Sequence, residues 1–450
     1  MTKYNDNKQK MTRRNTMRTP AKWLWAASFV LAVSLLNAAC SDEVDDYFDQ
    51  PASARLTSAM DRARQVLQSA EYGWEFEYYP GSTLSYGGVV YTMRFDEQKA
   101  DIGCSLIADT TVTSLYRITN DNGPVLTFDS YNELFHYYAT PNSGEYQAKG
   151  GEFEFVIDSI ADDFITLYGK KTHNTMCMRK LTTPANDYAS RTIDIYDHFI
   201  DSISGNIGTA EVKAKCNPVN RNITVVSGGD TVRVYFAYTN RGIRLYRPLK
   251  LGGRSVQTFD YNTSTNQLTC IDPDATDVQL QGIPYDTNFM NFTRYEGDYI
   301  LAYEGGSVDV KLTPNRMEGT YIMSGLSPMY TLRLNYDSET GDLRLGSQVL
   351  GEIDGRTIYW VCYDYTNGFL GIADEGQFTI RWNGNRFYPR FNFSATNPSV
   401  LNCDGGLLIY LYYNDAGNLA AGLVDDPAWL TNGSMQFRGL ASLNRKSRLD

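Results

Sequence analysis

Histidine, the side chain that enzymes use most often as a general acid or base, is scarce in this sequence. Three histidines occur in 450 residues, namely His136, His173 and His198. The chain has no Gly-x-Ser-x-Gly stretch to present a serine nucleophile and no glycine-rich phosphate-binding loop. His136 stands in the aromatic run LFHYY, which favours packing among rings over a role as a base. We therefore assign no catalytic residue and expect a protein that is not an enzyme.

Metal-ligand residue types occur in two short segments, but neither segment completes a known site. His173 and Cys177 offer two zinc ligands, whereas a structural zinc site usually needs four. The segment 272–277 starts like an EF-hand calcium loop, yet Asp277 stands where that loop needs glycine and Ile283 where it needs glutamate. An EF-hand is excluded and an irregular calcium site stays open. We predict no metal site and no cofactor.

Cysteine pairs at close spacing are also missing. Six cysteines follow Cys40 at long and irregular intervals, without any Cys-x-x-Cys pair. Several lie inside apolar strand patterns, as Cys362 does in YWVCYDY, where a free cysteine behaves as a small hydrophobic side chain. We expect mostly buried thiols, and the sequence leaves any disulfide pairing open.

A single long hydrophobic run occurs, and it is too short for a membrane-spanning helix. Residues 23–36 form an uncharged apolar run of 14 residues, whereas a span takes about 20. A basic segment precedes the run and small residues follow it, as in a signal peptide. Leu36 to Cys40 resemble a lipobox, although Asn37 occupies the position usual for leucine. We expect residues 1–39 to be a lipoprotein signal peptide and Cys40 to carry the membrane-anchoring lipid.

The expected mature chain is strongly acidic. Residues 1–39 carry seven basic side chains and one acid, so their removal leaves 34 basic and 51 acidic side chains and a net charge of −17. Such a chain repels phosphate backbones, and nucleic acid is not an expected partner. The segment 40–49 reads as an acidic tether. It resembles the signal that sends Bacteroidetes lipoproteins to the outer face of the outer membrane, which predicts that location.

Aromatic content and turn patterns favour β-structure. The chain has 33 Tyr, 20 Phe and 6 Trp, and such side chains suit a pleated, half-buried surface. The sequence predicts a mainly β protein with antiparallel sandwich-like or barrel-like domains and one short N-terminal helix. We place the helix and the first β domain at 50–185. A second β region at 186–285 is either continuous with the first or separate, and a C-terminal β domain spans 294–450. A further candidate helix spans about 190–203.

Several segments of the first two regions match a known family. They include GWEFEYYP, GEFEFVID, FITLYGKK, VYFAYTNRGIRLYRP and the predicted strand YNELFHYY at 131–138. In this order they resemble a Bacteroidetes surface lipoprotein family known only as a domain of unknown function (DUF4302), over about residues 47–285. The resemblance implies an outer-membrane setting beside SusC- and SusD-like nutrient importers. It supplies no catalytic residues.

Aromatic side chains near strand ends are the best candidates for a binding site. In the strand QFTIRW, alternation places Phe378, Ile380 and Trp382 on one face, and an Asn-Gly-Asn turn follows directly. An exposed ring beside such amides suits a sugar, because the apolar face of a pyranose stacks on the ring and amides bind its hydroxyls. The same reasoning selects Tyr365 and Trp429. Rings that fill the core of a β domain are the alternative.

Three functions are compatible with these features. The leading hypothesis is a non-catalytic outer-membrane accessory that binds glycan or peptide for a SusC/SusD-like uptake system. The second is a structural or assembly lipoprotein, such as a scaffold or a fimbria-like subunit, which would use strand edges. The third is a hydrolase, which predicts a cleft with paired carboxylates.

Overall fold

Antiparallel strands dominate the structure. The computed structural model describes residues 51–121, 123–141, 148–371, 376–414 and 416–449. The strands within them form three closed eight-stranded barrels and one open six-stranded sheet. This confirms the prediction of a mainly β protein with antiparallel barrel-like domains and a helix on the N-terminal side. The predicted signal peptide, the acidic tether and Cys40 lie outside the described residues.

Barrel 1 follows helix α1 (Ala52–Gln68), whose apolar positions recur at the predicted helical spacing. The indole N–H of Trp74 donates to the carbonyl of Leu67 at 2.8 Å, which fixes the end of the helix to the first strand. The strands are β1 (Trp74–Tyr78), β2 (Val89–Phe95), β3 (Lys99–Cys104), β4 (Ile107–Asn120), β5 (Pro124–Phe128), β6 (Glu154–Ile160), β7 (Phe164–Gly169) and β8 (Thr175–Lys180). Because β1 pairs with both β2 and β8, the barrel closes and leaves no edge.

The interior of barrel 1 is filled by rings from its strands and from one connecting segment. Residues 131–138, predicted as a strand, instead form a turn and a short 3-10 helix, His136–Tyr138. The side chain of Asn132 accepts the backbone N–H groups of Leu134 and Phe135, which stabilises the turn in place of a strand. Phe135 is thereby buried against the rings of Phe76, Tyr78, Tyr91, Phe128 and Phe155.

Barrel 2 begins after helix α2 (Ala185–Asp197), which starts and ends earlier than predicted. Pro184 precedes the helix, residues 198–201 connect it to the next strand, and only the last two predicted helical residues, Ser202 and Ile203, lie in that strand. The strands are β9 (Ser202–Ile207), β10 (Ala210–Asn217), β11 (Asn222–Ser227), β12 (Asp230–Tyr238), β13 (Gly242–Leu251), β14 (Arg254–Asn262), β15 (Gln267–Cys270) and β16 (Gln279–Ile283). The interior holds a cavity of only about 30 Å³, lined by aliphatic side chains and Phe259. It is a packed core and not a ligand chamber.

The third region combines a barrel with an inserted sheet. A short 3-10 helix (Phe292–Tyr295) precedes the strands β17 (Gly297–Tyr303), β18 (Gly306–Asn315), β19 (Thr320–Ser324), β20 (Leu332–Tyr336), β21 (Leu343–Gly346), β22 (Gln348–Ile353), β23 (Arg356–Asp364), β24 (Phe369–Gly371), β25 (Gln377–Trp382), β26 (Arg390–Ala395), β27 (Gly405–Tyr413), β28 (Leu419–Leu423), β29 (Gln436–Phe437) and β30 (Ser442–Arg445). Strands β17 to β21 with β25, β26 and β30 close barrel 3. The other six form the open sheet, here called the insert sheet.

A single arginine joins the three barrels. Arg221, in the β10–β11 turn of barrel 2, is 1% exposed. Its guanidinium donates to carbonyls from all three barrels, those of Val219, Tyr86, Arg316 and Met317. These four acceptors compensate for the loss of water around a buried cation. We call this contact the barrel junction.

Charged side chains between barrels 1 and 2 are also paired. Glu75 and Glu77 point outward from β1 and are both buried. Arg244 of barrel 2 binds both carboxylates, Arg179 binds Glu77, and the Tyr188 hydroxyl of α2 donates to Glu75 at 2.7 Å. Burial disfavours the charged guanidinium, but Glu77 and Glu75 outweigh this effect and raise the pKa of Arg244 above its ordinary value. The interface therefore holds paired charges with their hydrogen bonds satisfied.

Candidate functional site

Trp382 lies at the end of β25, at one end of barrel 3. Phe378 and Ile380 point into the barrel and are buried, while Trp382 on the same face is half-buried. The structure therefore has the predicted alternation, with Phe378, Ile380 and Trp382 on one face of the strand. The indole N–H of Trp382 donates to the carbonyl of Asn385 at 3.2 Å, so the ring is held against the loop that follows its strand.

The loop after Trp382 projects two further rings into solvent. The Asn385 side-chain oxygen accepts the backbone N–H groups of Phe387 and Tyr388, both at 3.0 Å. The Asn383 side chain accepts the N–H of Asn385 at 3.0 Å. These asparagine turns order the loop without burying its rings, and Phe387 and Tyr388 are 66% and 80% exposed.

Arginines from three distant parts of the chain surround these rings. Arg294 lies over the Trp382 ring at 5.7 Å, and Arg448 lies over the Phe387 ring at 5.3 Å. Arg294 and Arg386 both donate to the carbonyl of Thr287. Arg445 of β30 donates to the carbonyl of Arg294 at 2.9 Å. We call the group the aromatic–arginine cluster; it consists of Trp382, Phe387, Tyr388, Arg294, Arg386, Arg445 and Arg448.

Positive charge is concentrated at this cluster within an acidic chain of net charge −11. Burial lowers the pKa of Arg294, and the charges of Arg386 and Arg445 lower it further. Across the part of the chain that the structure describes, no carboxylate lies within ion-pair distance of Arg386, Arg445 or Arg448. Backbone carbonyls hold Arg386 and Arg445 but do not neutralise them.

The arrangement suits a ligand that carries both an apolar face and a negative charge. Exposed rings stack on the flat face of a sugar. The guanidinium fork matches the two oxygens of a carboxylate or sulfate and forms charge-assisted hydrogen bonds. An acidic sugar offers both features within one residue.

The other two aromatic candidates make contacts within the fold that leave less of each ring free for a ligand. Trp429 is 6% exposed and lies flat against Tyr330, with ring planes 11° apart. It belongs to the core, which corrects the expectation of a ligand-binding ring. Gly351 faces the indole and leaves room for it, since a Cβ at that glycine would lie 2.7 Å from the ring.

Tyr365 is half-buried after β23 of the insert sheet, in a different element from Trp382. Arg438 lies over its ring at 4.7 Å, and its hydroxyl donates to the carbonyl of Gly406 at 3.0 Å. Burial raises the pKa of Tyr365 to about 12. One ring face and the hydroxyl are therefore already used within the fold.

A groove of about 430 Å³ lies beside the insert sheet and contains the acidic pair Asp425 and Asp426 together with Tyr410. Arg356 lies over the Tyr410 ring at 4.8 Å. The acidic pair would repel a ligand that carries negative charge. The groove is therefore a weaker candidate than the aromatic–arginine cluster.

Groups that could support catalysis or metal binding are engaged elsewhere. The buried carboxylates Glu75 and Glu77 are bound by arginines. His136 is packed between the rings of Tyr131 and Phe153. Asp272, from the segment that resembled a calcium loop, accepts two backbone N–H groups. Within the described ranges, no group of three or more His, Cys, Asp or Glu side chains is arranged to hold a metal ion.

No helix in the described part of the chain combines the length and the apolar character needed to cross a membrane.

The sequence interpretation found Trp382 but missed the rings of Phe387 and Tyr388 and the arginines. Arg294, Arg386 and the pair Arg445 and Arg448 are separated by long stretches of chain. A signal was nevertheless present. The segments RFYPR and RKSR are locally basic in an otherwise acidic protein, and the first adjoins the candidate Trp382.

Two family models match the chain. Residues 44–263 match the family described as "Domain of unknown function (DUF4302)", and residues 271–409 match DUF4987, described as "Domain of unknown function". No curated protein matches the chain. A crystal structure of a double mutant of transferrin-binding protein B from Haemophilus parasuis is 11% identical, covers 84% of this chain and 75% of that chain, and has a TM-score of 0.13. That similarity is too weak to support a conclusion about fold or function. The resemblance read in the sequence is confirmed: the chain carries a DUF4302 domain over residues 44–263, which comprises barrel 1 and most of barrel 2.

Proposed function

We propose that this protein is a non-catalytic glycan-binding lipoprotein of the bacterial surface, and that its aromatic–arginine cluster binds acidic sugars. Cys40 would carry the lipid anchor in the outer membrane, and a SusC- and SusD-like importer would take up the bound glycan. The N-terminal sequence pattern and the DUF4302 resemblance motivate the location and the partner. The observation that carries the binding activity is the juxtaposition of exposed rings with Arg386, Arg445 and Arg448, which have no carboxylate within ion-pair distance among the described residues.

The exposed ring of Tyr388 is the strongest single support for a sugar ligand. At 80% exposure it gains nothing from the core, and asparagine turns hold its backbone in place. Arg386, two residues earlier, donates to the same Thr287 carbonyl as Arg294, so the two guanidinium groups lie close together. We expect a sugar stacked on Tyr388 to direct its carboxylate towards this positive charge.

Affinity electrophoresis of the full chain tests the proposal. Gels would contain polygalacturonate, chondroitin sulfate or the neutral polymer dextran, and release of reducing ends would be assayed in parallel. We expect retardation by an acidic polymer, none by dextran, and no release of product. The variants Tyr388→Ala and Arg386→Ala should each weaken binding at least about tenfold, or about 1.4 kcal/mol.

Matched controls separate the cluster from general surface effects. Tyr413 of the insert sheet is 74% exposed, and Arg191 of α2 is also exposed. Tyr413→Ala and Arg191→Ala should leave retardation unchanged. Equal losses in cluster and control variants would contradict the assigned site. Release of product would contradict the non-catalytic reading, and a hydrolase would then be the better description.

The insert sheet favours assembly as a second candidate function. Strand β28 lies at the edge of this sheet, pairs with β27, and has the uncharged sequence LAAGL. An uncharged open edge can accept a strand from another chain, here a second copy of the same protein. Sedimentation over a range of protein concentrations should then show association that Ala421→Lys abolishes. A protein that stays monomeric throughout would remove this candidate.

A further inference from the structure

Two cysteines of the third region lie together where the insert sheet meets barrel 3. Cys362 belongs to β23 of the insert sheet, and Cys403 lies in the connection from β26 of the barrel to β27 of the sheet. Both side chains are buried, at 0% and 3% exposure. Sequence patterns do not predict that these two cysteines are neighbours, because about forty residues separate them.

Neighbouring strands bring the two sulfurs to one place. The Cys362 Sγ lies 3.6 Å from the Leu345 carbonyl of β21, and the Cys403 Sγ lies 3.3 Å from the Gln377 carbonyl of β25. Strands β21 and β25 pair directly at this point, with Leu345 opposite Phe378. The backbone N–H of Asp404 also donates to the carbonyl of Tyr363 at 3.1 Å, which ties the residue after Cys403 to the residue after Cys362.

The two thiols also affect each other's ionisation. The interaction with Cys362 lowers the pKa of Cys403. The interaction with Cys403, followed by burial, raises the pKa of Cys362. The other four cysteines in the described ranges, Cys104, Cys177, Cys216 and Cys270, show no interaction with a second thiol.

We propose that Cys362 and Cys403 form a disulfide bond that fastens the insert sheet to barrel 3. The oxidant is a disulfide of low molecular weight or of a thiol–disulfide oxidoreductase. The Cys403 thiolate attacks that disulfide and displaces one of its sulfurs as a thiol. The Cys362 sulfur, having lost its proton, then attacks the Cys403 sulfur and displaces the second thiol. The two cysteines lose two protons and two electrons, and the oxidant takes them up.

The bond would constrain the connection through which the chain re-enters the insert sheet. The loop that it closes contains β25 and β26, which are two of the eight strands of barrel 3. Cross-linking a loop of this size lowers the entropy of the unfolded chain. Exported proteins form such bonds in oxidising compartments, but the inference rests on the position of both sulfurs beside the paired strands β21 and β25 and not on the proposed glycan binding.

Peptide mapping of the full chain tests the bond. The unfolded chain is refolded in a glutathione redox buffer, then denatured and alkylated without reductant, and digested with trypsin. Cleavage after arginine places Cys362 alone in peptide 357–381 and Cys403 alone in peptide 391–438. We expect these peptides as one linked species, lighter than their sum by two hydrogen atoms. Cys104 serves as the control and should be alkylated.

Two results would overturn the proposal. One is alkylation of both cysteines after refolding under oxidising conditions, and the other is linkage of either cysteine to a different partner. A Cys403→Ala variant should lose the linked species. Reductant should lower the melting temperature of the unmodified chain by several degrees and leave that of Cys403→Ala unchanged. The mass measurement on the unmodified chain keeps the test valid even if the variant folds poorly.

Discussion

Arginines at the barrel junction and in the aromatic–arginine cluster show two different uses of the same side chain. Arg221 at the junction is buried, and carbonyls of three barrels surround its guanidinium. Arg386 in the cluster donates to one carbonyl and precedes the exposed rings of Phe387 and Tyr388 in the same loop. A buried charge must be satisfied within the fold, whereas an exposed one without an acidic partner is available to a ligand. The comparison separates structural from functional charge without any knowledge of the ligand.

The largest expected effect is at the junction. Arg221→Met would remove this donor from the carbonyls of Val219, Tyr86 and Arg316, while that of Met317 keeps the Tyr138 hydroxyl at 2.8 Å. Each carbonyl left without a donor costs about 1–3 kcal/mol. We expect the free energy of unfolding to fall by about 4 kcal/mol or more, measured by denaturant titration. The exposed counterpart Arg386→Met should change it by less than about 0.5 kcal/mol. Similar losses of unfolding free energy in Arg221→Met and Arg386→Met would contradict the distinction between the buried and the exposed arginine.

A smaller effect is expected between barrels 1 and 2. Arg244→Met removes the guanidinium that binds both Glu75 and Glu77, although Arg179 and Tyr188 stay in contact with them. We expect a loss of about 3 kcal/mol in denaturant unfolding, because a buried carboxylate loses its main partner. The exposed pair of Arg254 and Asp277 is the control, and Arg254→Met should cost below about 1 kcal/mol. Adding Glu77→Gln to Arg244→Met should recover part of the loss.

Salt should weaken ligand binding at the exposed arginines of the cluster more than it weakens the buried arginine contacts. Raising the ionic strength from about 0.05 M to about 0.5 M screens exposed charges strongly and buried ones weakly. Binding of an acidic polymer should weaken about tenfold, or about 1.4 kcal/mol, while the midpoint of denaturant unfolding with urea shifts little. Affinity electrophoresis at both salt concentrations measures the first quantity. Binding that does not respond to salt would show that the arginines take no part.

The smallest effect concerns pH. Burial lowers the pKa of His136 below its ordinary value of 6.5. A lowered pKa in the folded state means that protonation favours unfolding, so this contribution to stability is fully present above pH 6.5 and is lost as the pH falls through the folded pKa. Urea midpoints between about pH 7.5 and about pH 5 should fall less in His136→Phe than in the unmodified chain. An equal fall in both chains would contradict this role of His136.

The sequence predicted local structure well where one face of a strand is buried. Phe378, Ile380 and Trp382 alternate as expected, and most strands of the third region lie where apolar alternation indicates them. Strands β3 and β4 were missed, since β4 carries many exposed threonines and little apolar periodicity. The segment 131–138 is rich in rings and reads as a strand, but Asn132 fixes a turn there.

The sequence did not predict which distant strands and side chains meet, and the reason is physical. Closure of barrel 1 depends on pairing of β1 with β8, and alternation within either strand carries no information about its partner. The insert sheet has the same local pattern as the barrel that it interrupts. Trp429 follows two acids and a proline and reads as a loop residue, but Gly351, far away in sequence, makes room for it in the core. The cluster likewise takes its arginines from separate segments.

The pairing of β17 with β30 means that barrel 3 can close only after its last strand has been synthesised. Barrels 1 and 2 are built from consecutive strands, so each can close as soon as its last strand has emerged. Barrel 3 stays open until Ser442–Arg445 arrives and joins β17 to β26. Arg445 and Arg448 come with that strand and the residues just after it. Ligand binding at the cluster would therefore require that β30 has been made and has joined the barrel, and a chain cut before β30 would not bind.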